Sequence, residues 1–214
     1  MGWERARTEE QKEQRIAEII EATARLYEKH SFEEITFVLI AKEATFTRSN
    51  LYKYFNSKEE IFLEFIKHDI VLWRKNVVAA FTPDKTLSVK EFASAWVSLM
   101  SRHERLIKLM SILHNSLEKN VSIENLTEFK RGAKEELLML SELLCSVFPK
   151  LTIEKAATFL QLQISAAIGL FQMTDLSETQ QHILDNPEFA VLKLDFIHSF
   201  QKTIEYLLNG ILGD

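Results

Sequence analysis

Residues that interrupt helices or cross-link chains are scarce in this sequence. Its 214 residues include only five glycines and three prolines, and each proline falls where a helix is expected to begin or end. The single cysteine, Cys145, excludes an internal disulfide. Between the prolines, apolar residues recur at helical spacing. The sequence therefore predicts an all-α fold of nine helices.

Signals of export, membrane insertion, metal binding and catalysis are missing as well. The chain begins with a charged helix rather than a signal peptide, and no apolar run approaches the roughly 18 residues of a membrane span. The six histidines form no pair at helical spacing, and neither a glycine-rich phosphate loop nor a Gly-x-Ser-x-Gly string occurs. We therefore expect a cytoplasmic protein that is not an enzyme, with no membrane contact, metal or cofactor.

One segment, residues 36–60, is the most informative part of the chain. It reads as two short helices joined by a tight turn and followed by a longer helix, whose start is marked by the spacing Ser57-x-x-Glu60. Thr47 is a suitable N-cap for the second short helix, at about residues 47–54. Two short helices in this order are typical of a helix-turn-helix that reads DNA.

The local charge supports that interpretation. Residues 44–58 contain three basic and no acidic residues, so the second short helix can approach phosphates without repulsion. Residues 1–58 hold ten Lys or Arg and ten Asp or Glu, which places the whole net charge of −5 on residues 59–214. A basic patch this small predicts modest nonspecific affinity and a need for two copies side by side on double-stranded DNA.

The string Leu-Tyr-x-x-Phe-x-Ser-Lys-Glu at residues 51–59 follows the helix-turn-helix pattern directly, and here the chain resembles the TetR family of bacterial transcriptional repressors. The resemblance implies a DNA-binding domain at 1–56, a connecting helix at 57–80, and a ligand-binding and dimerisation domain at 81–214. It also implies a homodimer that binds a DNA operator and is released by a small apolar or amphipathic effector. The alternative is a helical interaction protein that acts through protein partners without operator binding.

Nine side chains of the informative segment are candidates for DNA contact. Four exposed positions of the second short helix are expected to face base edges: Arg48, Ser49, Asn50 and Lys53. Five others are expected at phosphates, by the resemblance and by their short-range geometry: Thr36, Thr47, Tyr52, Tyr54 and Lys58. For Tyr52, packing beneath the helix is the alternative.

Three positions depart from the family pattern. Thr45, in the turn between the two short helices, and Ser31, after the first helix, stand where the family usually has glycine. Because a β-branched residue in the left-handed region is strained by roughly 1–2 kcal/mol, either the turn at Thr45 has another geometry or the strain is tolerated. Phe37 stands where many relatives offer a hydroxyl group to a phosphate, so fewer contacts to the DNA backbone are expected there.

Beyond the helix-turn-helix, large apolar and amphipathic side chains are candidates for an effector cavity by the resemblance. They are Trp73, Trp96, Met100, Met110, Leu113, His114, Phe129, Leu137, Phe159 and Phe171. Plain core packing is the alternative for each. A two-fold dimer is expected through the eighth and ninth helices, because small residues on the eighth permit close approach and the ninth has two apolar stripes. The expected interface residues are Ala156, Ala166, Ala167, Leu170, Val191, Leu194, Ile197, His198 and Leu208.

Overall fold

A computed structural model describes residues 9–82 and 87–213. The spacing Thr8-x-x-Gln11 predicts a cap for the first helix, but Thr8 lies outside these residues, as does Pro83. The described residues contain ten α-helices, nine of them with at least seven residues, and no strand. The all-α fold class predicted from the sequence is therefore confirmed.

The helices alternate with short loops along the whole described chain. They are α1 (Glu9–Tyr27), α2 (Phe37–Glu43), α3 (Arg48–Leu51), α4 (Lys58–Ala80), α5 (Val89–Ser101), α6 (Glu104–Ile112), α7 (Ile123–Val147), α8 (Ile153–Thr174), α9 (Glu178–Leu184) and α10 (Phe196–Gly213). A π-helix at Leu113–Leu117 and a 3₁₀ helix at Glu118–Asn120 join α6 to α7, and a second 3₁₀ helix at Pro187–Leu192 precedes α10.

Two predicted helices differ from the observed ones. The second helix of the motif is α-helical over four residues only, and three turn residues follow it. The predicted ninth helix is divided: Pro187 opens a 3₁₀ helix, and α10 starts afresh where Asp195 Oδ1 accepts from the backbone N–H of His198 at 2.7 Å. The sequence reading also missed α9, although Ser177 and Gln180 form a capping box at its start.

The chain forms two compact units. The first comprises Met1–His68 and Ile112–Arg131, and the second comprises Asp69–Ser111 and Gly132–Asp214. Both α4 and α7 contribute residues to each unit, so the units do not end at helix termini. The three domain ranges expected from the sequence stay a prediction.

The first unit is held together by apolar side chains from α1, α2, α3 and the start of α4. α1 packs on α2 and α2 on α3, and Ile19, Ile40 and Leu51 have no exposed surface. Burial of one such side chain stabilises a fold by roughly 1.5–3 kcal/mol. Tyr27 meets Phe62 edge to face, with 5.5 Å between ring centroids. Burial raises the pKa of the Tyr27 hydroxyl to about 12.

The core of the second unit is an aromatic cluster around Trp96 of α5. Trp96 stacks on Phe92 with 5.3 Å between centroids, and it meets Trp73 of α4 edge to face at 5.3 Å. Its indole N–H donates to Oε1 of the buried Gln163 of α8 at 3.2 Å. Because α10 packs on both α5 and α8, these helices form the centre of the unit.

α8 is apolar well beyond what its own subunit buries. By length and composition it qualifies as a candidate membrane span, which corrects the expectation that no segment approaches one. Only 28% of its most apolar 18-residue window is buried. A single helix of this kind is weak support for a membrane span, and an apolar face without a covering partner is also what a subunit interface requires.

Candidate DNA-binding surface and effector cavity

The turn between α2 and α3 is a Schellman motif. The backbone N–H of Phe46 donates to the carbonyl of Ala41 at 2.8 Å, and that of Thr45 donates to the carbonyl of Lys42 at 3.1 Å. This pattern requires a left-handed residue at the position of Thr45, which has φ 58°. The turn therefore keeps the geometry that favours glycine, and the strain at Thr45 is tolerated.

Ser31 differs from Thr45 although both stand at usual glycine positions. In the described part of the chain Thr45 is the one non-glycine residue with positive φ, so the backbone at Ser31 makes no demand for glycine. The backbone N–H of Ser31 donates to Oε2 of Glu34 at 2.8 Å, and its hydroxyl accepts from the N–H of Glu34 at 3.4 Å. Serine thus contributes a side-chain contact that glycine lacks.

Hydroxyl side chains cap both helices of the motif. Thr47 is confirmed as the N-cap of α3, where Oγ1 accepts from the N–H of Asn50 at 3.2 Å. Thr36 caps α2 in the same way, through the N–H of Leu39 at 3.2 Å. Ser49 Oγ lies 3.1 Å from Thr47 Oγ1. Thr36 and Thr47 are exposed, so a phosphate can approach their hydroxyl groups.

The basic side chains of α3 and of the turn that follows it are exposed but already oriented. Arg48 Nη2 donates to the hydroxyl oxygen of Tyr52 at 3.1 Å, and Lys53 Nζ donates to Asn50 Oδ1 at 2.7 Å. An adenine that paired with the Asn50 amide would need the same oxygen as an acceptor, so Lys53 must then turn away. Tyr54 is half-buried and meets Phe46 edge to face at 6.1 Å.

The side chain of Lys58 is hydrogen-bonded to backbone carbonyls of the first unit. Its Nζ donates to the carbonyls of Phe32 and Ile35 at 2.7 and 2.8 Å, and it lies 4.0 Å from the centroid of the Phe32 ring. Two of its three N–H groups are therefore used, which leaves one for a phosphate. In this geometry Lys58 ties the loop after α1 to the start of α4. Ser57 caps α4 through the N–H of Glu60 at 3.3 Å.

Tyr52 does not pack beneath α3, because 45% of its surface is exposed. One face of its ring is stacked on Phe37 with 4.5 Å between centroids and 30° between the planes. The guanidinium carbon of Arg48 lies 5.5 Å from the Tyr52 centroid. Sequence reasoning did not group these three residues, although the i, i+4 spacing of Arg48 and Tyr52 on one helix was a usable signal.

A largely apolar cavity of about 240 Å³ lies in the second unit. It is lined by Ile70, Trp73, Met100, Leu106, Met110, Ala133, Glu136, Leu137, Leu140, Leu160, Gln161, Gln163 and Ile164. The one ionisable group of this lining, Glu136, accepts a hydrogen bond from Arg74. The indole N–H of Trp73 is buried and has no hydrogen-bond acceptor among the described residues.

The cavity lining includes four of the ten predicted effector residues: Trp73, Met100, Met110 and Leu137. Trp96 and Phe159 belong to the packed core, with 1% and 0% of their surface exposed. Leu113, His114 and Phe129 lie in the first unit, where His114 is exposed and bonded to Glu118. Phe171 lines a separate, more polar depression of about 290 Å³. These six do not line this cavity, and contact of any of them with an effector stays a prediction.

Ion pairs hold α4 against its neighbours beside the cavity. Arg105 of α6 donates through Nε and Nη2 to both carboxylate oxygens of Asp69, at 2.8 and 2.9 Å, and Arg74 pairs with Glu136 of α7. Asp69 is only 3% exposed. The sequence analysis missed these pairs, although an acid within the apolar run of α4 was a signal that a partner was required.

The predicted dimer residues divide by burial. Ala156, Ala167 and Leu208 have no exposed surface, so they are removed from the predicted interface because the subunit's own core covers them. The remaining six are half-buried or exposed: Ala166, Leu170, Val191, Leu194, Ile197 and His198. Leu162 and Met173 of α8 were not predicted, yet 46% and 60% of their surfaces are exposed.

Two family models match the chain. Residues 19–65 match that of the bacterial regulatory proteins of the tetR family, and residues 67–214 match that of the tetracyclin repressor-like C-terminal domain. In the described residues, no group of three or more His, Cys, Asp or Glu side chains is arranged to hold a metal ion.

Individual relatives agree with these matches. The uncharacterised HTH-type transcriptional regulator YfiR of Bacillus subtilis (strain 168) is 38% identical over 60 residues, which span 28% of this chain and 29% of that relative. The fatty acid degradation regulator FadR from Bacillus halodurans has a similar structure, with TM-score 0.58, 18% identity and coverage of 91% of this chain and 94% of that one. A TetR-family transcriptional regulator from Mesorhizobium loti MAFF303099 gives TM-score 0.55 at 16% identity, over 94% and 96% of the two chains.

Proposed function

Because the chain belongs to the TetR family of bacterial regulatory proteins, we propose that it is a cytoplasmic homodimeric repressor whose operator affinity falls when a small uncharged effector binds. Regulators of this family are soluble, non-enzymatic proteins that bind DNA operators, dimerise and bind small effectors. The observation that carries the proposal is the exposed, acid-free surface of α3 and the turn after it, where Arg48 and Lys53 are oriented by neighbouring side chains. A protein that acted only through protein partners would not require this surface.

Roles on this surface follow from reach and donor geometry. We assign Arg48 to guanine and Asn50 to adenine, because their side chains can make two hydrogen bonds to those bases. Ser49 and Lys53 supplement base contact. Phosphates are assigned to the hydroxyl groups of Thr36, Thr47, Tyr52 and Tyr54, and to the remaining N–H of Lys58.

A gel shift with the DNA upstream of the protein's own gene, at several salt concentrations, tests operator binding. Arg48→Ala is expected to weaken specific binding by roughly 5- to 150-fold for each half-site, because a bidentate base contact is worth about 1–3 kcal/mol and each protomer of the dimer loses one. Lys75→Ala is the matched control, since Lys75 is an exposed cation of α4 in the second unit. Equal affinity of the wild type for upstream and random DNA would contradict the proposal.

The dimer is proposed to form through the exposed faces of α8 and α10. Leu162 and Met173 of α8 and Ile197 and Tyr206 of α10 expose 45–72% of their surfaces, and exposed apolar surface of this kind requires a partner. Leu162→Glu is expected to give a monomer in sedimentation at micromolar concentration, because it would bury a charge in the interface. Leu138→Glu on α7, at 40% exposure, is the control and should stay dimeric. A monomeric wild type would refute the dimer.

The cavity suggests the chemistry of the effector. Its walls are apolar, and its one carboxylate is already paired, so a charged ligand would be desolvated without compensation. Trp73 lines the cavity and its buried indole N–H lacks an acceptor, so we infer that an oxygen acceptor on the ligand pairs with this N–H after the indole turns toward the ligand. A cavity of 150 Å³ holds benzene, so 240 Å³ suits about ten heavy atoms. We infer an uncharged ligand with a hydrocarbon body.

Four probes that share a phenylalkyl body but differ in charge test which ligand charge the cavity accepts. They are benzylacetone, butylbenzene, phenylbutyrate and phenylbutylamine. Calorimetry should rank the ketone first, about tenfold tighter than either ion. Trp73→Phe should remove only the tighter binding of the ketone relative to butylbenzene, because that substitution removes the N–H and keeps a ring. Preferential binding of phenylbutyrate would contradict an uncharged effector. A ketone that binds but leaves the gel shift unchanged would refute release by this cavity.

A further inference from the structure

We propose that Phe37 is a positioning residue for DNA recognition: it holds the ring of Tyr52, which in turn holds the base-reading guanidinium of Arg48. The inference rests on the proposed operator binding. Phe37 is the first residue of α2 and is half-buried. It lies outside the nine candidate contact residues, and no DNA group need touch it.

The contacts form a continuous series within the first unit. Phe37 covers one face of the Tyr52 ring at 4.5 Å between centroids. Tyr52 accepts a hydrogen bond from Arg48 Nη2 at 3.1 Å, and the guanidinium carbon lies 5.5 Å from the Tyr52 centroid. Tyr52 is 45% exposed and Phe37 is the ring that stacks on it, so loss of the Phe37 ring removes a restraint on the Tyr52 rotamer.

The series leaves the required hydrogen-bond groups free. A guanidinium has five N–H donors and Arg48 uses one on Tyr52, so four remain, and a bidentate contact to O6 and N7 of a guanine needs two of them. The hydroxyl of Tyr52 acts as acceptor in this contact, so its own hydrogen can still be donated to a phosphate. Because an arginine side chain loses considerable rotamer freedom when it is fixed, prior orientation of Arg48 favours the correct base.

The test selects operator variants from a pool with randomised base pairs and sequences the bound DNA. Arg48→Ala should abolish the preference at one base pair of each half-site. Phe37→Leu and Tyr52→Phe should lower the preference at that same base pair by roughly 3- to 10-fold, the loss of about one hydrogen bond's discrimination. Preferences at other base pairs should stay. In Phe37→Leu combined with Arg48→Ala, no further loss is expected at that position.

Two controls distinguish positioning from general stability. Phe37→Tyr keeps the stacked ring and should keep the preference. Val38→Ala shortens an apolar side chain of α2 that is 56% exposed, and it should leave the profile unchanged. Thermal unfolding of each variant checks folding. If Phe37→Leu weakened all sequences equally, or kept the preference that Arg48→Ala loses, this inference alone would be overturned. A wild type without base preference would overturn the operator function as well.

Discussion

Replacement of Thr45 by glycine should stabilise the protein. The Schellman motif places residue 45 at φ 58°, where a β-branched side chain costs roughly 1–2 kcal/mol. Glycine removes that cost but adds conformational freedom to the unfolded chain, which costs roughly 0.5–1 kcal/mol. The net gain should be about 0.5–1 kcal/mol.

The gain should appear as a higher unfolding temperature. A stabilisation of about 1 kcal/mol raises the unfolding temperature of a unit of roughly 60–100 residues by about 4–8 °C, and that of a chain of roughly 150–250 residues by about 2–4 °C. For Thr45→Gly, circular dichroism melts should therefore rise by about 2–8 °C where the first unit unfolds by itself and by about 1–4 °C where the chain unfolds as a whole. Thr45→Asn should fall between the two, because asparagine tolerates the left-handed region better than threonine. Operator affinity should stay the same, since glycine preserves the turn.

Ser31→Gly is the control, because Ser31 also stands at a usual glycine position. Its φ is not positive, so glycine relieves no strain there and removes the hydroxyl that accepts from Glu34. This variant should be less stable than the wild type. If Thr45→Gly were no more stable than the wild type, or if Ser31→Gly were stabilised equally, strain at Thr45 would not be the cause.

Three further substitutions check contacts that are distant in sequence or buried. Lys58→Met should destabilise the first unit by about 1–3 kcal/mol in urea unfolding, because two carbonyls lose a charged donor; the exposed Lys42→Met should not. Gln163→Leu should cost about 1–3 kcal/mol by leaving the buried indole N–H of Trp96 without its acceptor, and a neutral result would refute that role. The raised pKa of Tyr27 means that the unfolded state ionises first, so stability should fall from pH 10 to about 12. In Tyr27→Phe this part of the alkaline loss should be absent.

The sequence by itself determined the local features of the helix-turn-helix in the first unit. Thr47 caps α3 because the hydroxyl and the N–H it accepts from are three residues apart, and the acid-free stretch is a property of composition. The family string at residues 51–59 identified the class of protein, and the family matches agree with it. Even the question of strain at Thr45 could be raised from the sequence, because a threonine stands at a turn position that favours glycine.

Only the tertiary structure decided which side chains meet across the chain. Lys58 bonds to a carbonyl 26 residues away, and Phe37 reaches Tyr52 because α2 packs on α3. α8 carries apolar residues on several sides, so periodicity could not distinguish its buried Ala167 from its exposed Leu162. The same ambiguity applied to the cavity, where Trp73 is a wall and Trp96 is core. Burial depends on neighbouring helices, and local sequence does not contain that information.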